Sequence, residues 1–544
     1  MKKIIYSLAL LASMSLTSCD DFLTEDVRGQ ENLDSYFQTE EEAEKFLTSC
    51  YGAIRYDDWW QIDNMWILTD MCSDDFWMGN TTQDQSGYIS LAHYQGIGQE
   101  NGTISNFWQY RYKGILTCNI AIERIGAMDE SVFTSASLKE RFIAEARFLR
   151  GYFYFELVKN FGGVPIINGF LMPQEIEGIQ RSSEEEVYAL VEEDLSYAAS
   201  ILPQRSKYSS SDMGRATRGA ALGLLGKAYL YEEKYDLAKQ TLKTVIDEGE
   251  YQLLADFGDV WDVDHNNSVE SLFEAQGMFD EKYSLAGTCI TVVSGNRSDD
   301  VDGWAWGLPT SDLENAFIKA GDTERLRWTI IKHGATEIAG ETEFAEHIAA
   351  QGDKNGDGTY CILPASHKSA RVSRKFYIPY QKRPSVWDKC KIPLNYRILR
   401  YADVLLMYAE ACNETNDDAN ARTALNQVRN RVGLAAVTSS GNELRQAIRT
   451  ERRLELATEN NRLYDIRRWT DTNGKKVICN LMGPNGTFVK YNLSDAADEY
   501  EKENQYESSD KGSTFNENRD LVFPIPLYEI QQSNGTIAQN PGWN

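Results

Sequence analysis

Aromatic rings and carboxylates crowd together in two glycine-punctuated stretches. Residues 56–110 carry Trp59, Trp60, Trp66, Trp77 and Trp108, interleaved with Asp57, Asp58, Asp63, Asn64, Asp70, Asp74, Asp75 and Asn80. Further on, Gly303-Trp304-Ala305-Trp306-Gly307 sets two indoles between glycines; Tyr283 precedes it, and Arg371, Arg374, Tyr377 and Tyr380 follow. An exposed indole or phenol offers a flat apolar platform with a polar edge. Asp, Asn or Arg beside it can hydrogen-bond a rim of hydroxyls. A ligand with one apolar face and a hydroxyl rim, as in a sugar ring, suits that pairing. The candidate ligand-binding set is Asp58, Trp60, Asp75, Trp77, Tyr283, Trp304, Trp306, Arg374 and Tyr380. Core packing is the plainer alternative for each Trp. It weighs most for Trp66 and Trp108, in helix-like apolar runs, and about evenly for Trp77. If residues 303–307 are extended, Trp304 and Trp306 point to one face, although one of them can equally be a packing residue.

Asp353-Lys354-Asn355-Gly356-Asp357-Gly358 repeats the first half of a calcium loop, with oxygens at alternate positions from Asp353, Asn355 and Asp357. The position of the bidentate Glu is Pro364, which removes an EF-hand. A bare Asp/Asn/Gly turn is the plainer reading, with a structural Ca²⁺ completed from elsewhere as the alternative. Otherwise no cofactor is expected. His93, His265, His333, His347 and His367 show no metal-ligand spacing, and no GxSxG elbow or P-loop occurs. Paired carboxylates could hydrolyse a glycoside, but 82 acidic residues single out no pair. The chain reads as a binder, not an enzyme.

Helices must carry these loops. Phe142, Ala146, Leu149, Phe153 and Leu157 form an apolar stripe, widened by Tyr152, Tyr154 and Phe155 until most of the circumference is apolar. Such a helix lies inside a core, and Gly162-Gly163-Val164-Pro165 stops it. Thr39-x-x-Glu42 and Ser183-x-x-Glu186 are capping boxes that open two more helices. Another runs from about Trp108 to Ile125. Leu225-Gly226, Tyr229, Ala238, Leu242 and Val245 fall at tetratricopeptide spacing, and Tyr408-Ala409, Ala421, Leu425 and Val428 repeat the offsets. A third helix pair spans about 441–469. The expected fold is mostly α, a tetratricopeptide-like scaffold over about 30–250 and 395–470. An irregular, loop-rich insertion over about 250–395 interrupts it, with β-like runs such as Cys289–Val293. Residues 470–520 read as a solvated polar excursion. Three prolines predict an extended path over about 520–544.

Residues 1–18 read as a signal peptide: Lys2 and Lys3, then a short apolar run. Leu16-Thr17-Ser18-Cys19 looks like a lipobox, which would make Cys19 the acylated first mature residue; several acyl chains would hold a protein at a membrane stably. The net charge is −27, and −29 after residues 1–18 leave, because 53 basic residues then face 82 acidic ones. That balance argues against nucleic acid or anionic lipid as a partner. No later apolar run reaches transmembrane length. Nine cysteines show no CxxC pair; no disulfide framework is expected, with one bridge outside Cys19 left open.

AEARFLRGYFYFELVKNFGGVPI closely resembles a signature of the SusD/RagB family. The likeness continues through TEEEAEKFLTSCYGAI, GRATRGAALGLLGKAYLYEEKYDLAKQTL, YRILRYADVLLMYAEACNE, LNQVRNRVGL, ERRLELATENNRLYDIRRW and FPIPLYEIQQSNGTIAQNPGW, in that order over nearly the whole mature chain. Asp20-Asp21-Phe22-Leu23 resembles the family's acidic sequence after the lipidated Cys. The resemblance implies an outer-membrane, cell-surface lipoprotein with a helical scaffold and a ligand site built from variable loops. It implies capture of an oligosaccharide or polysaccharide and delivery to a TonB-dependent β-barrel transporter of the SusC type. Peptide capture, as in RagB-like members, is the alternative; a glycoside hydrolase is a third.

Overall fold

In both capping boxes the side chain and the backbone satisfy each other. The Glu42 N–H donates to Thr39 Oγ1 and the Thr39 N–H to Glu42 Oε2; Ser183 and Glu186 do the same. The structure is a computed structural model that describes residues 33–54, 66–79, 86–171, 178–280, 282, 287–297, 303–362, 367–384, 392–504 and 506–543. Its helices of ten or more residues are α1 (Glu40–Gly52), α2 (Gly102–Ala127), α3 (Ala136–Phe161), α4 (Glu184–Ile201), α5 (Arg218–Tyr231), α6 (Tyr235–Glu248), α7 (Ser311–Ala320), α8 (Tyr401–Glu414), α9 (Asp418–Arg431) and α10 (Gly441–Glu455). The fold is mostly α.

The helix α3 is the central one. Every residue from Phe148 to Val158 is buried, so the helix has no solvent face. It starts a turn and a half before the stripe suggested, because Ser135 caps it by accepting the Leu138 N–H. It ends at Phe161, with Gly162 at φ +69°. From α2 to α6 each helix packs on the next; α8 follows α6, and α9 and α10 close on α8. The two tetratricopeptide-like pairs are α5–α6 and α8–α9. A Cβ on Gly226 would lie 2.6 Å from Leu242, so that glycine sets how closely α5 and α6 approach.

Among the described residues six short strands pair antiparallel in twos. β1 (Phe76–Trp77) pairs with β3 (Leu308–Pro309), β2 (Ser271–Ala275) with β6 (Tyr396–Arg400), and β4 (Ile330–Lys332) with β5 (Arg371–Ser373). Cys289–Val293 is not a strand: Ile290–Val293 is one helical turn. The end of the chain is not wholly extended, since Leu527–Gln532 is helical directly after Pro526, where a preceding proline is harmless. Residues 470–520 are not simply solvated. Glu507 and Lys511 are fully buried, with Glu507 accepting from the Met78 and Gly79 N–H groups and Lys511 donating to the Met71 and Phe76 carbonyls.

Buried charge joins the helices to the loop-rich part. Glu455, at the end of α10, accepts from Arg400 of β6 at 2.6 Å, from Arg325 at 2.9 Å and from Arg431 of α9. Arg400 also pairs with Glu270 and Glu459, and Lys375 donates to Glu459 at 2.6 Å. Nearby, Asp403 of α8 bridges Lys227 of α5 and Arg452 of α10. Among the described residues Cys50, Cys72, Cys118, Cys289, Cys361, Cys412 and Cys479 are free thiols. No helix among them is long and apolar enough to cross a membrane.

Candidate functional site

The Trp304–Trp306 segment is held by its backbone. The Trp304, Ala305 and Trp306 N–H groups donate to the carbonyls of Val292, Gly295 and Val293 at 2.8–2.9 Å, and Gly307 donates to Met78 at 3.0 Å. These bonds strap the segment over the Ile290–Val293 turn and satisfy that turn's outward carbonyls. A Cβ on Gly303 would collide with the Gly295 backbone, so the close crossing requires glycine there. Ala305 sits at φ +56°, a left-handed conformation rare outside glycine. The segment is therefore not extended. Its two indoles still meet, with centroids 5.0 Å apart at 54°. Trp306 is buried, with its ring edge-on to Tyr88 at 5.2 Å. Trp304 is half-buried, the less enclosed member of the pair. Arg297 Nε donates to the Trp304 carbonyl at 2.9 Å. Tyr88 and Arg297 had no periodicity or motif to mark them; only the strap brings them here.

The other candidates fare differently. Trp77 offers no platform: it is fully buried in β1, 6.2 Å from Phe488, with the Lys368 ammonium over its ring. Asp75 is buried and binds Arg453. Arg374 is buried too. It donates to the Ala339 and Tyr377 carbonyls and stacks over Trp328, pinning two turns together. Tyr380 lies half-buried with one face stacked 5.6 Å from His347 and the Arg383 guanidinium over its ring. Asp58, Trp60, Tyr283 and Cys19 lie outside the described residues. At 353–358 the polar groups serve the turn itself. Asp353 Oδ1 accepts from the Gly356 and Gly358 N–H groups, Asp357 Oδ1 accepts from Thr359, and Asn355 turns its amide N–H to Thr359. With Asn355 turning an N–H rather than an oxygen into the loop, two carboxylates remain, too few for Ca²⁺, and no group of three or more His, Cys, Asp or Glu side chains able to hold a metal occurs among the described residues.

Asp70, below β1, has a measurable consequence. Burial, and then the charge of Asp75, pushes its carboxyl up to about 7 against the Leu463 N–H that it accepts. A carboxyl raised in the native state binds its proton more tightly when folded. Its contribution to stability is full at acid pH and is lost as pH rises from about 4 towards 7. Asp70→Asn is expected to stabilise the protein at pH 8 by about 1–3 kcal/mol and to change little at about pH 4. Urea unfolding at the two pH values checks this; equal effects at both would remove the buried charge as the cause.

Two family models cover most of the chain: one described as "SusD family" matches residues 270–543, and one described as "Starch-binding associating with outer membrane" matches residues 21–230. The chain belongs to the SusD family. SusD-like protein P2 of Formosa agariphila is 27% identical over 97% of this chain and 98% of its own. A SusD-like protein of Bacteroides ovatus is 26% identical over 86% of this chain and 83% of its own. Among solved structures, a laminarin-binding SusD-like protein superposes with a TM-score of 0.73 at 26% identity, covering 93% of this chain and all of that one. The helical pairs described above are thus those of a SusD-like fold.

Proposed function

We propose that this SusD-family chain captures an oligosaccharide or polysaccharide at the Trp304 surface, without cleaving it. Cys19 anchors it by lipid to the outer membrane, facing outward, and a TonB-dependent β-barrel of the SusC type receives the glycan. The observation that carries the reading is the half-buried Trp304, fixed by three backbone hydrogen bonds of its own segment, in a chain that matches a laminarin-binding protein over 93% of its length. A preorganised aromatic face loses little freedom when a sugar ring docks, so its contact area converts to affinity. The laminarin-binding structure and the starch-binding family description are both named for binding, which supports capture over catalysis. The transporter partner and the anchor rest on the family and on residues 16–23.

The test is calorimetric titration of residues 20–544 with a panel of polysaccharides, each paired with an assay for new reducing ends. Heat with one glycan class and no new reducing ends is expected. Hydrolysis, or heat with peptides and none with glycans, would overturn the reading.

A further inference from the structure

A second pocket, of about 550 Å³, opens between α7, α10 and the segment after α10, and shares no lining residue with the Trp304 segment. Lys319, Arg449, Arg453 and Arg462 line it, against Asp312. Arg453 is held by Asp75 and Asp312, and Arg462 by both oxygens of Asp74. With Asp74 and Asp75 counted, four cations face three carboxylates, a local excess of positive charge on a chain of net charge −27.

The other two cations have no carboxylate partner. Arg449 lies half-buried with its guanidinium over Trp469 at 5.0 Å. One nitrogen donates to the Thr470 carbonyl at 2.8 Å, while its Nε is buried without any hydrogen-bond partner. Lys319 is exposed at the mouth and takes part in no hydrogen bond or ion pair among the described residues. Of the other buried arginines, Arg325, Arg400 and Arg452 each bind two or more carboxylates, whereas Arg374 is held by carbonyls and an indole face inside the core, away from any pocket mouth. Glu410 and Glu414 act on Arg449 only from a distance and are themselves paired with Arg468 and Arg445. A partly desolvated guanidinium without a bonded carboxylate is costly, and an oxyanion with two or three acceptor oxygens relieves it. Gln446 and Thr450 add exposed donors, and Ala316 and Val477 add apolar surface.

We infer that this pocket binds an anionic sugar residue through its carboxylate or sulfate ester, with Arg449 and Lys319 supplying the charge. The sugar part rests on the glycan reading; the need for an anion rests on the pocket alone. Against Trp304 and this pocket together, a charged polysaccharide would be held at two separate places.

The experiment titrates the protein at constant ionic strength with oligogalacturonate, with a sulfated oligosaccharide, with a neutral oligosaccharide and with inorganic sulfate. Lys319→Gln, Arg449→Gln and Trp304→Ala variants are run beside the wild type. Each charge-assisted contact removed is expected to weaken the charged saccharide about tenfold. The neutral oligosaccharide should be indifferent to Lys319→Gln, which lies on the surface and leaves the fold intact if Arg449→Gln does not. Tighter binding of the sulfated chain assigns a sulfate ester; tighter binding of oligogalacturonate assigns a carboxylate. Unchanged binding of both charged saccharides to Lys319→Gln and Arg449→Gln would overturn the site. Inorganic sulfate binding as tightly as either saccharide would overturn its sugar part. A neutral glycan lost only in Trp304→Ala keeps the Trp304 reading standing in either event.

Discussion

Glu455→Ala is expected to lower the unfolding free energy by about 3–5 kcal/mol, the usual cost of leaving buried charges without their partner. The carboxylate sits among the guanidiniums of Arg325, Arg400 and Arg431, and its side chain is wholly buried. Burial opposes its ionisation, yet Arg431, Arg400 and Arg325 override that and hold its carboxyl well below the usual range. Truncation takes one carboxylate from each of three buried cations, leaving Arg325 with Asp322 and Glu451, Arg400 with Glu270 and Glu459, and Arg431 with Glu270 alone. The sign with pH follows. A carboxyl depressed in the native state contributes stability above its unfolded value of about 4.3 and gives it up as pH falls below that value. The isosteric Glu455→Gln should therefore be destabilised near neutrality and lose less than the wild type on acidification below about pH 4. Guanidinium unfolding curves at pH 7 and pH 3.5 measure both effects. A loss at pH 7 under about 1 kcal/mol would mean that the cations relax into water or onto Glu270 and Glu451, and that the joint between α10 and the loop-rich part is softer than its geometry suggests.

That joint also marks where the sequence stops being readable. The core of α3 is legible because apolar residues surround the helix and FGGVPI ends it; the information is local. The offsets of α5–α6 and α8–α9 are legible for the same reason, since Gly226 and Leu242 lie within one helix pair. ERRLELATENNRLYDIRRW reads as part of a helix pair whose many charges carry no local sign of burial, yet Glu451, Arg452, Glu455 and Asp465 are buried. Their burial depends on Asp403, Arg325 and Arg400, up to 130 residues away. Composition ranks a carboxylate as solvated unless its partner is known, and the partner is not local. Glu507 and Lys511 escaped for that reason, and so did Asp75. Ile290–Val293 was ambiguous in itself, since a short run of four β-branched residues, three of them apolar, suits strand and helix alike. The strap from residues 304–306 decides for the turn by taking its carbonyls. Trp77 was lost to the core because β1 pairs with β3, a contact spanning more than 200 residues.

The Trp304–Trp306 pair puts the proposed function to its sharpest trial, because the two indoles should fail in different ways. Trp304 is the less enclosed of the two and is only partly buried against the core. Trp304→Ala is expected to leave the unfolding midpoint close to wild type while weakening the bound glycan by at least about 30-fold, the loss of a central aromatic contact of about 2 kcal/mol. Trp306 is buried against Tyr88 beneath it. Trp306→Ala should cost about 3–5 kcal/mol of stability, as large aromatic truncations in a core do. Its effect on binding follows indirectly, through the seat of Trp304. Trp304→Phe keeps a smaller platform and should recover part of the affinity, which a merely structural role for Trp304 would not predict. Calorimetry and thermal unfolding on the three variants separate these outcomes. If Trp304→Ala binds the glycan as tightly as the wild type, the ligand docks elsewhere, and the strapped segment is a structural clasp between β1 and the Ile290–Val293 turn.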